Sequence, residues 1–99
     1  MLELMLEFLS YIPKQLQILN EAVKIGDAKL VEREAHTIKG AAGNLGAKNL
    51  ADSALKLELL GRNGNLENAE KLIVELESET KLFEEYVNRS MGAEITVKS

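Results

Sequence analysis

The 99-residue chain is one domain's worth of sequence, because a chain of this size closes one modest core and not two. Hydrophobic residues make up 45% and charged residues 28%, which is too apolar for a disordered segment. Sixteen Asp and Glu outweigh twelve Lys and Arg, and the net charge of −4 argues against a nucleic-acid binder that neutralises phosphates.

Aromatics are only 4%, and Leu, Glu, Lys and Ala dominate, so the intrinsic preference is helical nearly throughout. From residue 2 to about 25 the apolar residues Leu9, Ile12, Leu16, Leu19 and Val23 keep a 3/4 spacing. Pro13 interrupts them; the simplest reading is a short first helix and then a second with Pro13 in its first turn, the alternative being one kinked helix. Gly26 suits the position just past a helix, and Asp27 the N-cap of the next. The segment from 28 to about 45 carries Val31, Ala35, Ile38, Ala42 and Leu45 on one stripe, and Gly46 breaks it. From 47 to about 60, Leu50, Ala54 and Leu57 form the next stripe, with Ala51 and Leu55 beside it. Gly61-Arg62-Asn63-Gly64 reads as a turn, with Asn65 as an N-cap. The last helix carries Ala69, Leu72, Ile73, Leu76, Phe83, Tyr86 and Val87 and is expected to end near Ser90.

These elements predict an all-α fold, an antiparallel up-down four-helix bundle with a short additional N-terminal helix. The bundle domain is expected over residues 1–91, and residues 92–99, which lack a helical period, as a flexible tail or linker. No stretch approaches the ~20 apolar residues of a membrane span, and the acidic start, with Glu3 and Glu7, is unlike a secretory leader. The expected location is the cytosol, with no direct membrane insertion.

The chain has no cysteine, which excludes disulfides, thiolate metal sites and Cys nucleophiles. Its single histidine, His36, excludes a multi-His metal centre. At about 100° per residue, His36 lies about 140° from the middle of the apolar stripe of its helix, Gly40 about 180° and Gly43 about 120°. All three face away from the core, and Lys39, at about 80°, lies on the flank. A glycine inside a helix costs roughly 0.8–1.0 kcal/mol relative to alanine, and solvent exposure alone gives no reason for two. The pattern fits another molecule approaching the helix surface beside the imidazole, with the Lys39 ammonium near an anion on the ring.

The run Ala35-His36-Thr37-Ile38-Lys39-Gly40-Ala41-Ala42-Gly43-Asn44-Leu45-Gly46 closely resembles the signature of histidine-containing phosphotransfer (HPt) domains. The resemblance implies a phosphorelay intermediate: His36 accepts a phosphoryl group from a receiver-domain phospho-aspartate, or from a cognate kinase, and passes it to another receiver. The implied partners are response-regulator receiver domains and a sensor histidine kinase, with no nucleic acid, and the isolated domain is expected to be a monomer. No cofactor is expected on this domain, since the receiver supplies its own Mg²⁺. There is no GxxxxGK[ST] and no kinase-type glycine loop, so no autonomous ATP-dependent kinase activity is expected, although the domain could form part of a hybrid sensor kinase. The competing reading from another class is a non-catalytic helical interaction module.

The resemblance also points to Glu58, because the family often has Gln or Glu there, touching the imidazole from the neighbouring helix. If the two helices fold back at Gly46, His36 and Glu58 lie about 15 Å and 18 Å from the turn, nearly level. A carboxylate accepting Nδ1–H would fix the tautomer and leave Nε2 as nucleophile, while also favouring the protonated ring. The alternative is a surface glutamate paired with Lys56 or Arg62.

Overall fold

The computed structural model describes residues 2–98, with side chains over residues 2–91, and every regular element among them is a helix. In chain order these are α1 (Leu2–Ile25), α2 (Ala28–Asn44), α3 (Lys48–Asn63) and α4 (Ala69–Lys98). None is long and apolar enough to cross a membrane.

The separate short N-terminal helix is not observed, because α1 runs without a break through Pro13. Proline removes one backbone hydrogen bond, at a cost of about 3 kcal/mol. Apolar anchors on both sides of it offset that cost: Phe8 and Ile12 before Pro13, Leu19 and Ala22 after it, all buried, while Pro13 is exposed. The buried stripe of α1 is turned slightly from the expected one, since Phe8 and Ala22 are buried and Leu9, Leu16 and Val23 are only half-buried.

The α1–α2 connection is as expected. Gly26 takes a left-handed φ of 74°, the Asp27 amide returns to the Ala22 carbonyl at 2.8 Å, and Asp27 Oδ1 accepts from the Leu30 amide. The α3 terminus is different. Gly64, not Gly61, ends the helix with a left-handed φ of 72°, and residues 61–63 remain helical. Gly61 is buried against α2, where an added Cβ would lie 2.5 Å from the Glu32 amide nitrogen and 2.7 Å from the Ala28 carbonyl oxygen. Its missing side chain permits close approach of two backbones. Helix α4 is assigned to Lys98, past the end expected near Ser90. The flexible tail expected over 92–99 falls outside the residues whose side chains are described.

Each helix packs on its neighbours in sequence, and α1 also packs on α4. Late α3 meets early α2 at Gly61, and Ser53 and Lys56 of α3 meet Glu75 of α4. Phe8 meets Phe83 edge-to-face at 5.8 Å between ring centres, closing α1 on α4. Ile12, Leu19, Val31, Ile38, Leu50, Leu57, Ile73 and Leu76 fill the space between the helices. This core holds α2 by one stripe and leaves its opposite face outside.

Candidate functional site

That outer face of α2 carries His36, Gly40 and Gly43, opposite the fully buried Val31, Ala35, Ile38 and Ala42. The His36 side chain is 66% exposed. A Cβ built on Gly40 or Gly43 meets nothing within 4 Å, so neither glycine serves packing inside the domain. The helix surface is bare for two turns beyond the ring.

From the neighbouring helix, Glu58 reaches the ring. Its side chain is only 3% exposed, and Oε2 lies 3.1 Å from His36 Nδ1. A carboxylate only accepts, so Nδ1 carries the proton and donates, which in the neutral ring leaves the lone pair on Nε2. The same Oε2 accepts from Arg62 Nη2 at 2.8 Å, and Arg62 Nε donates to Glu32 Oε2 at 3.0 Å. Lys39 Nζ lies 2.7 Å from Glu58 Oε1 as an ionic contact, although Oε1 receives no directed hydrogen bond.

A buried carboxylate would ordinarily be pushed toward its neutral form. Here the Lys39 ammonium outweighs burial, and with a smaller contribution from His36 it holds the Glu58 carboxyl below its ordinary value. Glu58 is therefore an anion at neutral pH. Arg62 is pushed upward, chiefly by its hydrogen bond to Glu32.

The five residues singled out from sequence lie on one side of the α2–α3 pair, with His36, Lys39 and Glu58 in mutual contact through the carboxylate. Glu58 is no surface glutamate but lies buried in the α2–α3 seam. Of its two alternative partners, Arg62 does bind it, whereas Lys56 turns to Glu75 of α4 at 3.0 Å. The sequence offered Arg62 only as an alternative to the imidazole contact, whereas Glu58 binds both, and Glu32 was missed as the second anchor of Arg62. Reading Gly61–Gly64 as a turn hid that Arg62 is still helical and faces Glu32 of α2.

A family model described as Hpt domain matches residues 3–86. The chain belongs to the Hpt family. The match takes in α1, α2, α3 and most of α4, and with them the whole His36 cluster. Among solved structures the chain is similar to histidine-containing phosphotransfer protein B (HptB) from Pseudomonas aeruginosa PAO1, with 33% sequence identity and a TM-score of 0.80. That similarity covers 89% of this chain and 80% of that one. No curated protein matches. Membership of the Hpt family supports a histidine phosphotransfer role and accords with the four helices among the described residues.

Proposed function

We propose that the chain is a phosphorelay intermediate with His36 as the phosphoacceptor. One observation carries the reading: an exposed imidazole is held through Nδ1 by a buried carboxylate, beside a helix surface bared by Gly40 and Gly43. The Nε2 lone pair attacks the phosphorus of an aspartyl phosphate on a receiver domain. The Nε2–P bond forms as the P–O bond breaks, and the aspartate leaves as a carboxylate. The ring retains its Nδ1 proton and gains positive charge, which Glu58 faces at 3.1 Å. The reverse sequence delivers the group to a second receiver, and a sensor histidine kinase is a further donor.

Phosphoryl transfer needs mainly alignment and charge neutralisation. On this side, Lys39 supplies a cation for the phosphoryl oxygens or the receiver's acidic pocket, and Gly40 and Gly43 admit the partner. The Mg²⁺ belongs to the receiver, and this domain binds no cofactor and is no autonomous kinase. We place the domain in the cytoplasm as a monomeric antiparallel up-down bundle. The docking surface we assign to the receiver continues from Gly40 into an apolar groove between α1 and α2, lined by Leu4, Phe8, Tyr11, Thr37, Ala41 and Asn44. Leu4 is 55% and Tyr11 60% exposed, which suits burial by a partner.

Incubation with a panel of phosphorylated receiver domains tests the reading. Acid-labile phosphate on His36 is the expected result. Receivers that bind without transferring phosphate would instead leave a non-catalytic helical interaction module.

A further inference from the structure

A carboxylate beside an imidazole has two opposed effects. It orients the ring, and it also favours the imidazolium, whose Nε2 is protonated and has no lone pair to attack with. Glu58 is buried 3.1 Å from Nδ1, and a bare carboxylate at that distance favours the unreactive form. It is not alone.

We propose that Arg62, anchored on Glu32, is a positioning residue for His36: it shares Oε2 of Glu58 with Nδ1, so that the carboxylate orients the ring without holding it protonated. The inference rests on the phosphocarrier reading and assigns a further residue to that site.

The geometry supports three parts of this role. Arg62 Nη2 is closer to Oε2, at 2.8 Å, than Nδ1 is, at 3.1 Å, so the guanidinium competes with the ring for that oxygen. Lys39 occupies the other oxygen, and Glu32 balances the second cation, so the carboxylates of Glu32 and Glu58 are matched by Lys39 and Arg62. The ring thus faces a cluster close to neutral. The guanidinium is also fixed in direction, because Nε is bound to Glu32 on α2 while Nη2 is bound to Glu58 on its own helix. A planar fork held at both ends sets the Glu58 rotamer in a way that a lysine's point charge would not.

Other charged groups lie on the elements packed around the ring. Lys29 and Arg33 of α2 line the shallow recess shared by His36, Glu58 and Arg62, and both disfavour a further positive charge. From α1, Glu7 lies in the groove beside Thr37 and Ala41. From α4, Glu75 pairs with Lys56 on the far side of α3.

The test is an NMR titration of the His36 ring in the full chain, with phosphorylation by phosphoramidate followed across pH. Arg62 is exposed, so Arg62→Gln is expected to fold with unchanged helicity. In that variant the His36 titration midpoint is expected to rise by roughly 0.5–1 unit, with phosphorylation at pH 7 slowed roughly two- to threefold and regained by about pH 8.5. In a Glu58→Gln background the same substitution is expected to move the midpoint by less than about 0.2 unit, because the anion that Arg62 offsets is gone. A midpoint that stays put or falls on Arg62→Gln overturns the proposal. An equal rise in both backgrounds overturns it too, since Arg62 would then act as a bare charge and not through Glu58. Absence of phosphate on His36 of the parent protein, with either phosphoramidate or receivers, would remove the phosphocarrier reading, while the titration still reports on Arg62.

Discussion

Oε2 of Glu58 and Nδ1 of His36 lie 3.1 Å apart although 22 residues separate them in the chain. The contact joins a side chain that is 66% exposed to one that is 3% exposed, so a surface imidazole rests on a support in the interior. Removing the support by Glu58→Ala is expected to release the tautomer preference, seen as mixed Nδ1–H and Nε2–H signals in ¹⁵N spectra. Transfer from a receiver is expected to slow roughly tenfold, or about 1.4 kcal/mol. An unchanged tautomer ratio together with an unchanged rate would refute the orienting role.

The same carboxyl makes stability depend on acid. Held below its ordinary value of 4.5 by Lys39 and His36 against the opposing effect of burial, it stabilises the folded state above that pH. The contribution is lost as pH falls through the folded value, when Glu58 must protonate. Urea unfolding from about pH 6 down to 3 is expected to show a steeper loss for the parent than for Glu58→Gln. Parallel curves would show that other carboxyls dominate the acid limb.

His36→Gln is expected to abolish phosphorylation while leaving the thermal midpoint nearly unchanged, since an exposed side chain carries little packing. Mass spectrometry of the variant after incubation with a phosphorylated receiver gives the answer, and acid-labile phosphate on it would sink the assignment.

Lys39 is engaged with Glu58 at 2.7 Å, so approach of a phosphoryl group to the ring sets up a competition for the ammonium. Lys39→Ala is expected to slow transfer in both directions without loss of helicity. Equal rates for variant and parent would make Lys39 only a partner of Glu58.

Two glycines should respond in opposite ways to the same substitution. At Gly40 a Cβ meets open space, so Gly40→Ala is expected to stabilise the domain by up to about 1 kcal/mol, and Gly40→Gln to block the receiver. At Gly61 a Cβ meets the α2 backbone at 2.5 Å, so Gly61→Ala is expected to destabilise by roughly 1–3 kcal/mol as the helices separate. Thermal unfolding of both variants measures the contrast, and a stabilised Gly61→Ala would contradict the close approach.

What the sequence determined by itself is what repeats within a single helix. The stripe of Val31, Ala35, Ile38 and Ala42 alone turns His36, Gly40 and Gly43 outward, because the helical period relates these residues without reference to anything else. Asp27 and Gly26 mark a helix boundary for similarly local reasons of capping and backbone freedom. Tertiary structure decided whatever depends on how two helices slide and rotate against each other. Pro13 stays inside one helix because anchors on both sides of it are buried by other elements. Gly61 stays helical because α2 comes within contact of its backbone, and that approach brings Arg62 between Glu58 and Glu32. Interhelical register comes from interdigitation of many side chains at once, so no period along the chain encodes it.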